Sequence, residues 1–152
     1  MNKVSFFIAT GFFSGLSPKA PGTAGSLVAV LLYFPLLRFP WMHQIAFILL
    51  LLAIAVWSAQ KMENQTGIHD DSRIVIDEFV GMWITLFAIT PSWIWIGVAF
   101  GLFRLMDIWK PYPANLIDRT WKGGQGVVFD DAVAGIYAYA ILRGLERLVL
   151  MT

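Results

Sequence analysis

The sequence predicts an all-α protein, a compact polytopic membrane bundle of about five hydrophobic helices, some of them short or re-entrant. Of its 152 residues, 58% are hydrophobic and 14% are charged, whereas soluble globular chains are about 45–50% apolar and about 25% charged. Seven Trp and twelve Phe are typical of side chains that lie at a bilayer interface. Composition therefore favours lipid as the solvent, and the length suits a single domain over residues 1–152.

The composition also argues against several classes of function. A net charge of +1 and the lack of a basic run disfavour nucleic-acid binding. Without Cys there is no disulfide, no thiolate metal site and no cysteine nucleophile. Residues 1–13 carry only Lys3 before an apolar run, and no convincing cleavage site follows, so we expect this segment to belong to the mature chain.

Five apolar stretches predict the individual helices. A membrane span needs about 20 residues at about 1.5 Å each, and the longest uninterrupted apolar run is Ile45 to Trp57. Several stretches are shorter than a span, but backbone in hydrocarbon must satisfy its own hydrogen bonds, so we expect helices throughout. The stretches run from about Ala24 to Leu37, Trp41 to Ala59, Ile74 to Ile89, Trp93 to Trp109 and Val127 to Leu150.

The polar connections predict an orientation. If all five stretches cross the membrane, the chain up to Thr23 and segments 60–73 and 110–126 lie on one face. This face holds seven Lys and Arg residues, and the other face holds three. Such an excess marks the cytoplasmic side. Nine of the ten carboxylates fall on or near the same face, all except Glu146. The last stretch could instead lie along an interface.

Two acidic pairs open apolar stretches: Asp77 with Glu78 in the third, and Asp130 with Asp131 in the fifth. The helix dipole stabilises acids at a helix start by about 0.3–1 kcal/mol, which is one explanation. It does not require two adjacent acids at membrane depth, where ionisable residues are costly and usually face a partner or a water-filled cavity. The pairs are therefore candidates for a functional site.

Residues beside these pairs point the same way. Gly81 and Gly135 would let two helices approach closely and bring the acidic ends together, although ordinary membrane-helix packing explains them equally well. Arg104 and Asp107 are three residues apart and share a helix face, which is also the spacing of a simple ion pair. The proline-stiffened connector that begins at Lys110 could hold this cation near the acids.

Clustered carboxylates require a cation. Two His and no Cys supply zinc poorly, whereas oxygen ligands suit Mg²⁺, which takes one or two carboxylates together with substrate phosphate oxygens. Lys19, Arg104 and Lys110 would complete a phosphate site. Residues 17–27 lead into the first stretch, and helix-start amides and hydroxyls bind phosphate. This segment lacks the Walker spacing, and a plain helix start is its simpler interpretation.

Four segments carry a family resemblance, and in this order they extend over roughly residues 10–140. They are Ala20–Ser26, His69–Gly81, Phe103–Pro111 and Gly124–Gly135. Together they resemble the phosphatidylglycerophosphatase A family. The resemblance implies a Mg²⁺-dependent lipid phosphatase of the bacterial inner membrane, with its site on the cytoplasmic face. Such an enzyme converts phosphatidylglycerophosphate into phosphatidylglycerol and inorganic phosphate.

The resulting hypothesis assigns roles to individual residues. Those assigned to the metal are Asp77, Glu78, Asp107, Asp130 and Asp131. Those assigned to the phosphate are Lys19, Thr23, Arg104 and Lys110. Water attacking phosphorus in line is the preferred route, with Asp130 also counted as catalytic, and a phospho-aspartyl route through Asp70 or Asp71 stays open. His69 is a candidate general acid or base, although a lone loop His is more often polar surface.

Two other classes of function compete with this one. Acids inside a membrane also mark the ion paths of transporters and channels, but these usually distribute acids through the membrane depth, often across inverted repeats. A structural membrane subunit would leave both acidic pairs without an explanation. Phosphate release from a lipid would favour the enzyme, and ion flux without turnover would favour transport.

Overall fold

The structure is a computed structural model that describes residues 2–151, with Leu150 described by its backbone only. These residues form seven α helices, two short 3-10 helices (Ser14–Leu16 and Phe34–Arg38) and no strand. The prediction of an all-α protein is therefore confirmed. The α helices are α1 (Lys3–Ala9), α2 (Pro21–Tyr33), α3 (Trp41–Thr66), α4 (Ile76–Thr85), α5 (Trp93–Trp109), α6 (Ala114–Thr120) and α7 (Gly124–Leu150).

Two helical stretches of the described chain are long and apolar enough to cross a membrane, Pro21–Arg38 and Trp41–Thr66. Within their apolar windows only 28% and 22% of the residues are buried. Most of their residues are therefore at least partly exposed, unlike those of a helix in the core of a soluble protein. The number of five crossing helices and the re-entrant segments stay predictions.

Helix α4 is shorter than the apolar stretch that predicts it. Its ten residues cover about 15 Å, half of a hydrocarbon core that is about 30 Å thick. The chain then leaves the helical path over residues 86–92, which we call the 86–92 connection, and Ala88 within it has a left-handed backbone with φ of 50°. Non-helical backbone at membrane depth is tolerated where it is buried in protein.

Side chains from α3 and α7 bind the backbone of the 86–92 connection. Gln44 accepts a hydrogen bond from the Ala88 amide at 3.0 Å, and Arg143 donates to the Ala88 carbonyl at 3.1 Å. Glu146, which is buried, accepts from the Thr90 amide at 2.9 Å and pairs with Arg143. The one carboxylate away from the acidic face thus has a structural task at the opposite end of the bundle.

Helices α4 and α7 lie side by side at the centre of the bundle, and two glycines set how closely they approach. A Cβ added at Gly135 would lie 2.9 Å from the Cα of Gly81. Thr85 donates to the carbonyls of Gly81 at 2.8 Å and Gly135 at 3.3 Å. Asp77 lies four residues before Gly81, and Asp131 lies four residues before Gly135. Because the two helices run in the same direction, the contact between the glycines places the two acids next to each other.

The start of α7 differs from the expectation. The acidic pair was expected to open this helix, but α7 begins at Gly124, about two turns before Asp131. Gly123, with φ of 75°, ends the preceding turn, and the Gly124 amide donates to Gln60 of α3 at 2.9 Å. Because the helix dipole acts within the first turn, it does not account for Asp130 and Asp131.

Candidate active site

The structure gathers six carboxylates and two cations around one polar cavity of about 280 Å³, here called the acidic cavity. Its walls come from the start of α2, the loop before α4, the first turn of α4, the end of α5 and α7. Segments that are far apart in the sequence therefore converge, as the sequence indicates. The charged residues that line it are Asp70, Asp77, Glu78, Arg104, Asp107, Lys110, Asp130 and Asp131.

Four acids in this cavity form what we call the carboxylate quartet: Asp77, Glu78, Asp130 and Asp131. Three of them, Asp77, Glu78 and Asp131, each offer an oxygen within 4.8 Å of the others. One oxygen of every member is buried and has no hydrogen-bond partner within residues 2–151. A buried carboxylate oxygen without a partner is costly, so the quartet has the character of a cation site. Its all-oxygen donor set suits a hard divalent ion.

Arg104 is the first cation of the cavity. Its guanidinium donates to Asp107 at 2.6 Å, the predicted pair three residues apart, and lies 3.7 Å from a Glu78 oxygen. Gly22 at the start of α2 packs against both groups, because a Cβ there would collide with the Glu78 carboxylate and lie 3.1 Å from the Arg104 guanidinium. The glycine lets α2 close one side of the cavity.

Lys110 is the second cation and ends α5 in a left-handed conformation, with φ of 47°. Its ammonium donates to Asp118 of α6 and to Asp130, each at 2.7 Å. Burial lowers the pKa of Lys110, but the hydrogen bonds to the two carboxylates outweigh it and raise the pKa overall. Lys110 therefore stays charged. It lies beside the quartet through its contact with Asp130.

The loop before α4 separates two acids that are adjacent in the sequence. Asp70 lines the acidic cavity, whereas Asp71 is buried against Arg73. The hydrogen bonds from Arg73 lower the pKa of Asp71. His69 lies 2.7 Å from Glu63, whose same oxygen accepts a hydrogen bond from the Asp70 amide at 2.9 Å. Glu63 thus fixes the backbone of the one acid of this pair that faces the cavity.

The start of α2 contributes three residues to the wall of the acidic cavity, but not the two that were assigned to the phosphate. Ala20, Pro21 and Gly22 line the acidic cavity, while the flanking Lys19 and Thr23 are not among its lining residues in the described chain. Ala20 has a left-handed backbone, with φ of 47°, and is the residue at which the chain enters α2.

Sequence reasoning missed three residues that shape the site. Asp118 and Glu63 were recognised only as acids on the same face, and Gly22 only as part of a motif. Asp118 follows Lys110 by eight residues across two prolines, a separation that does not predict proximity. Glu63 is a buried acid near the end of α3. The presence of an acid at the end of a long apolar stretch was the sequence signal that could have identified it.

The fold and site together define a class: a helical membrane protein with a polar cavity in which unpaired acids and two cations are suited to bind a metal and an anionic phosphate. A sequence profile of the family described as phosphatidylglycerophosphatase A matches residues 7–146. The chain belongs to the phosphatidylglycerophosphatase A family. It is therefore a phosphatase and a membrane protein, as predicted.

Individual relatives agree with this assignment. The chain is 43% identical to phosphatidylglycerophosphatase A of Escherichia coli strain K12 over 136 residues, which cover 89% of this chain and 79% of that protein. The Haemophilus influenzae protein of the same name is 40% identical, over 91% and 86% of the two chains. A Bacteroides thetaiotaomicron protein provisionally named a phosphatidylinositol-3-phosphatase is 42% identical, over 93% and 95%. No solved structure matches the chain.

Proposed function

We propose that the protein removes the terminal phosphate of phosphatidylglycerophosphate, giving phosphatidylglycerol and inorganic phosphate, as a step of bacterial phospholipid biosynthesis. The observation that carries the proposal is the carboxylate quartet with its four unpaired buried oxygens, in one cavity with Arg104 and Lys110. Two of the relatives reported above carry the name of this activity. The third is named for removing phosphate from a different lipid headgroup, so the phosphomonoester of a phospholipid is common to all three.

Mg²⁺ is the proposed cofactor. Asp77, Glu78 and Asp131 would hold it, since their oxygens already lie within 4.8 Å of one another, with Asp107 and Asp130 beside them. When bound, Mg²⁺ supplies positive charge that stabilises the transferring phosphoryl group and orients the reactants. The absence of His from this group and its hard oxygen donors support Mg²⁺ over zinc.

The cations of the cavity are proposed to bind the phosphate. Arg104 presents a planar guanidinium, which binds phosphate oxygens through paired hydrogen bonds, and Lys110 adds a point charge. Both are already held by acids, Arg104 by Asp107 and Lys110 by Asp130, so their positions are set before the substrate arrives. Lys19 and Thr23 flank the cavity wall, and we propose that they contact the headgroup at its edge.

Two routes of phosphoryl transfer fit the geometry. In the first, which we favour, water attacks phosphorus in line and a carboxylate such as Asp130 takes a proton from it. The bond between phosphorus and the glycerol oxygen breaks, and this oxygen takes up a proton from solvent to become the hydroxyl of phosphatidylglycerol, while the carboxyl releases its proton to solvent. In the second, a carboxylate attacks phosphorus and displaces the glycerol oxygen, which takes up a proton and leaves as the lipid hydroxyl. Water then cleaves the aspartyl phosphate, which releases inorganic phosphate and restores the carboxylate. The position of Asp70 on the cavity wall supports it over Asp71 as that nucleophile, because Asp71 is engaged by Arg73. His69 is proposed as a proton carrier that Glu63 orients.

The proposed location is the bacterial inner membrane, as a multi-pass protein with the acidic cavity on the cytoplasmic face. The support is the excess of Lys and Arg in the connections on the cavity side, seven against three. A substrate made on the inner leaflet would present its headgroup to a cavity at that depth.

The decisive experiment measures phosphate release by the purified protein from defined lipids, with Mg²⁺ and with EDTA. We expect turnover of phosphatidylglycerophosphate that requires Mg²⁺, and little turnover of phosphatidylinositol 3-phosphate or of a soluble phosphomonoester. Faster release from phosphatidylinositol 3-phosphate would transfer the assignment to that headgroup. Full activity in EDTA would exclude the divalent ion.

Variants of the quartet link this activity to the site. Asp77→Ala and Asp131→Ala should each lower kcat by about a hundredfold or more, comparable to the loss of a preorganised electrostatic group in other enzymes. Thermal unfolding in detergent shows whether the variants remain folded. A folded variant that retains full Mg²⁺-dependent turnover would remove its residue from the site.

A further inference from the structure

An apolar groove of about 680 Å³ lies on the face of α4 that points away from the acidic cavity. Ile76, Phe79 and Trp83 of α4 line the groove, whereas Asp77 and Glu78 line the acidic cavity. With 100° between successive residues, these two sets lie on opposite sides of the helix. Helix α4 therefore forms a wall of the apolar groove on one side and a wall of the acidic cavity on the other.

The other walls of the apolar groove come from α1, the turn after it, α2 and α3. Aromatic rings form one side: the ring centres of Phe7 and Phe12 are 5.0 Å apart, and those of Phe12 and Phe79 are 6.1 Å apart. The volume is within the range of ligand pockets, about 300–1,000 Å³. Every lining residue but Lys3 is apolar, so the groove suits a hydrocarbon chain.

Two observations connect the apolar groove with the acidic cavity. One chain segment borders both, since Phe12 and Phe13 line the groove and Pro21 lines the cavity. Lys3 stands at the groove with an exposed side chain and makes no ion pair with any described residue. A phospholipid with a phosphorylated headgroup has anionic phosphates at one end and hydrocarbon at the other, which matches this arrangement of charge.

We infer that the apolar groove holds an acyl chain of the phospholipid substrate while the headgroup lies in the acidic cavity, with Lys3 facing the phosphodiester. The inference rests on the proposed function. The two spaces are separated by one α helix, about 10–12 Å across with its side chains. Lipid tails are as apolar as the groove, so moving an acyl chain from the bilayer into the groove supplies no hydrophobic driving force. The walls of the groove instead select the acyl chain by its shape, and they hold the headgroup in position.

The test fills the apolar groove and leaves the acidic cavity unchanged. Leu32 of α2 lines the groove, whereas its neighbour Leu31 does not line it and is more exposed. We compare Leu32→Trp with the matched control Leu31→Trp, on long-chain phosphatidylglycerophosphate and on the dihexanoyl form in detergent. Leu32→Trp should raise KM for the long-chain lipid about tenfold, the size of effect that a steric mismatch in an apolar pocket produces. Turnover of the dihexanoyl lipid, and both activities of Leu31→Trp, should match the parent.

The other outcomes are distinct. Equal kinetics for the two Trp variants, or an equal loss on both lipids, would overturn the groove assignment. If the parent protein releases phosphate from neither lipid, the proposed function fails instead. Should Leu32→Trp not fold, Leu51→Trp, on the α3 wall of the groove, is compared with Leu50→Trp, which lies next to it and outside the groove.

Discussion

At the scale of residues, the same functional group serves two different purposes in this protein. Asp71 is a buried carboxylate with a complete set of partners, because Arg73 donates to both of its oxygens. Asp131 is equally buried, but one of its oxygens has no donor in the described structure. Removing one partner of a buried ion pair destabilises the fold, and a buried charge that has no partner is itself costly until a cation arrives.

This contrast predicts opposite effects of one chemical change. In EDTA, Asp131→Asn should stabilise the protein by about 1–2 kcal/mol, since it removes an uncompensated charge, whereas Asp71→Asn should destabilise it by a similar amount. Thermal unfolding in detergent measures both. Mg²⁺ should raise the Tm of the parent and of Asp71→Asn, and much less that of Asp131→Asn. Equal Mg²⁺ shifts in all three proteins would place the ion elsewhere.

The loss in Asp71→Asn should also depend on pH. The folded pKa of Asp71 is lowered, so its contribution to stability is complete above the ordinary carboxyl range and disappears as pH falls through the lower folded value. The difference in Tm between the parent and Asp71→Asn should therefore be present at pH 7 and decrease below about pH 4. A difference that persists at pH 2 would show that the carboxylate charge is not its cause.

At the scale of elements, the acidic cavity depends on how closely α4 and α7 pack. Gly81 and Gly135 bring the two backbones into contact, and this register sets Asp77 beside Asp131. Gly144, about two and a half turns further along α7, has open space where a Cβ would be, among the described residues. Close packing therefore requires a glycine at position 135 but not at position 144 of the same helix.

Gly135→Ala should destabilise the protein by about 1–3 kcal/mol, the usual cost of overpacking, and should lower the affinity for Mg²⁺ as α4 and α7 move apart. Gly144→Ala, the matched control, should be neutral or stabilise by up to about 1 kcal/mol, because alanine favours the helix. Thermal unfolding and a Mg²⁺ titration followed by Tm test both variants. Comparable behaviour of the two would contradict the close-packing argument.

Hydropathy predicts most of the helices, and it fails where contacts between residues that are distant in the sequence determine the structure. Each of the five apolar stretches contains a helix, because burial or lipid contact favours helix, although the third is helical only over Ile76–Thr85. The short α6, by contrast, lies in a predicted loop and is anchored through Asp118, which binds Lys110. The different surroundings of Asp70 and Asp71 depend on a left-handed backbone at Asp70, with φ of 50°, and adjacent acids give no sign of it in the sequence.

At the scale of the whole molecule, charge is distributed between two ends. The acidic cavity lies at the end where α4 begins, and Glu146 lies at the other, against the 86–92 connection. The surplus of cations in the connections on the cavity side predicts that this end faces the cytoplasm. The catalytic site would then be reached from the inner leaflet only.

The natural lack of cysteine makes this orientation measurable. Single cysteines are introduced as Lys122→Cys, on the cavity side before α7, and Ser92→Cys, at the other end before α5. A membrane-impermeant maleimide should label Ser92→Cys in right-side-out vesicles and Lys122→Cys in inside-out vesicles. Labelling after solubilisation in detergent provides the control for reactivity, and the reverse pattern would invert the topology.

The 86–92 connection has a consequence for sequence divergence. Its backbone is bound by Gln44 and by Arg143 with Glu146, residues that are about a hundred positions apart in the chain and contribute nothing to the acidic cavity. A substitution at one of them leaves a peptide group of the connection without its partner, so drift at these positions is constrained together. Among relatives, we expect these positions to change jointly or not at all, because co-varying positions mark residues that meet in space.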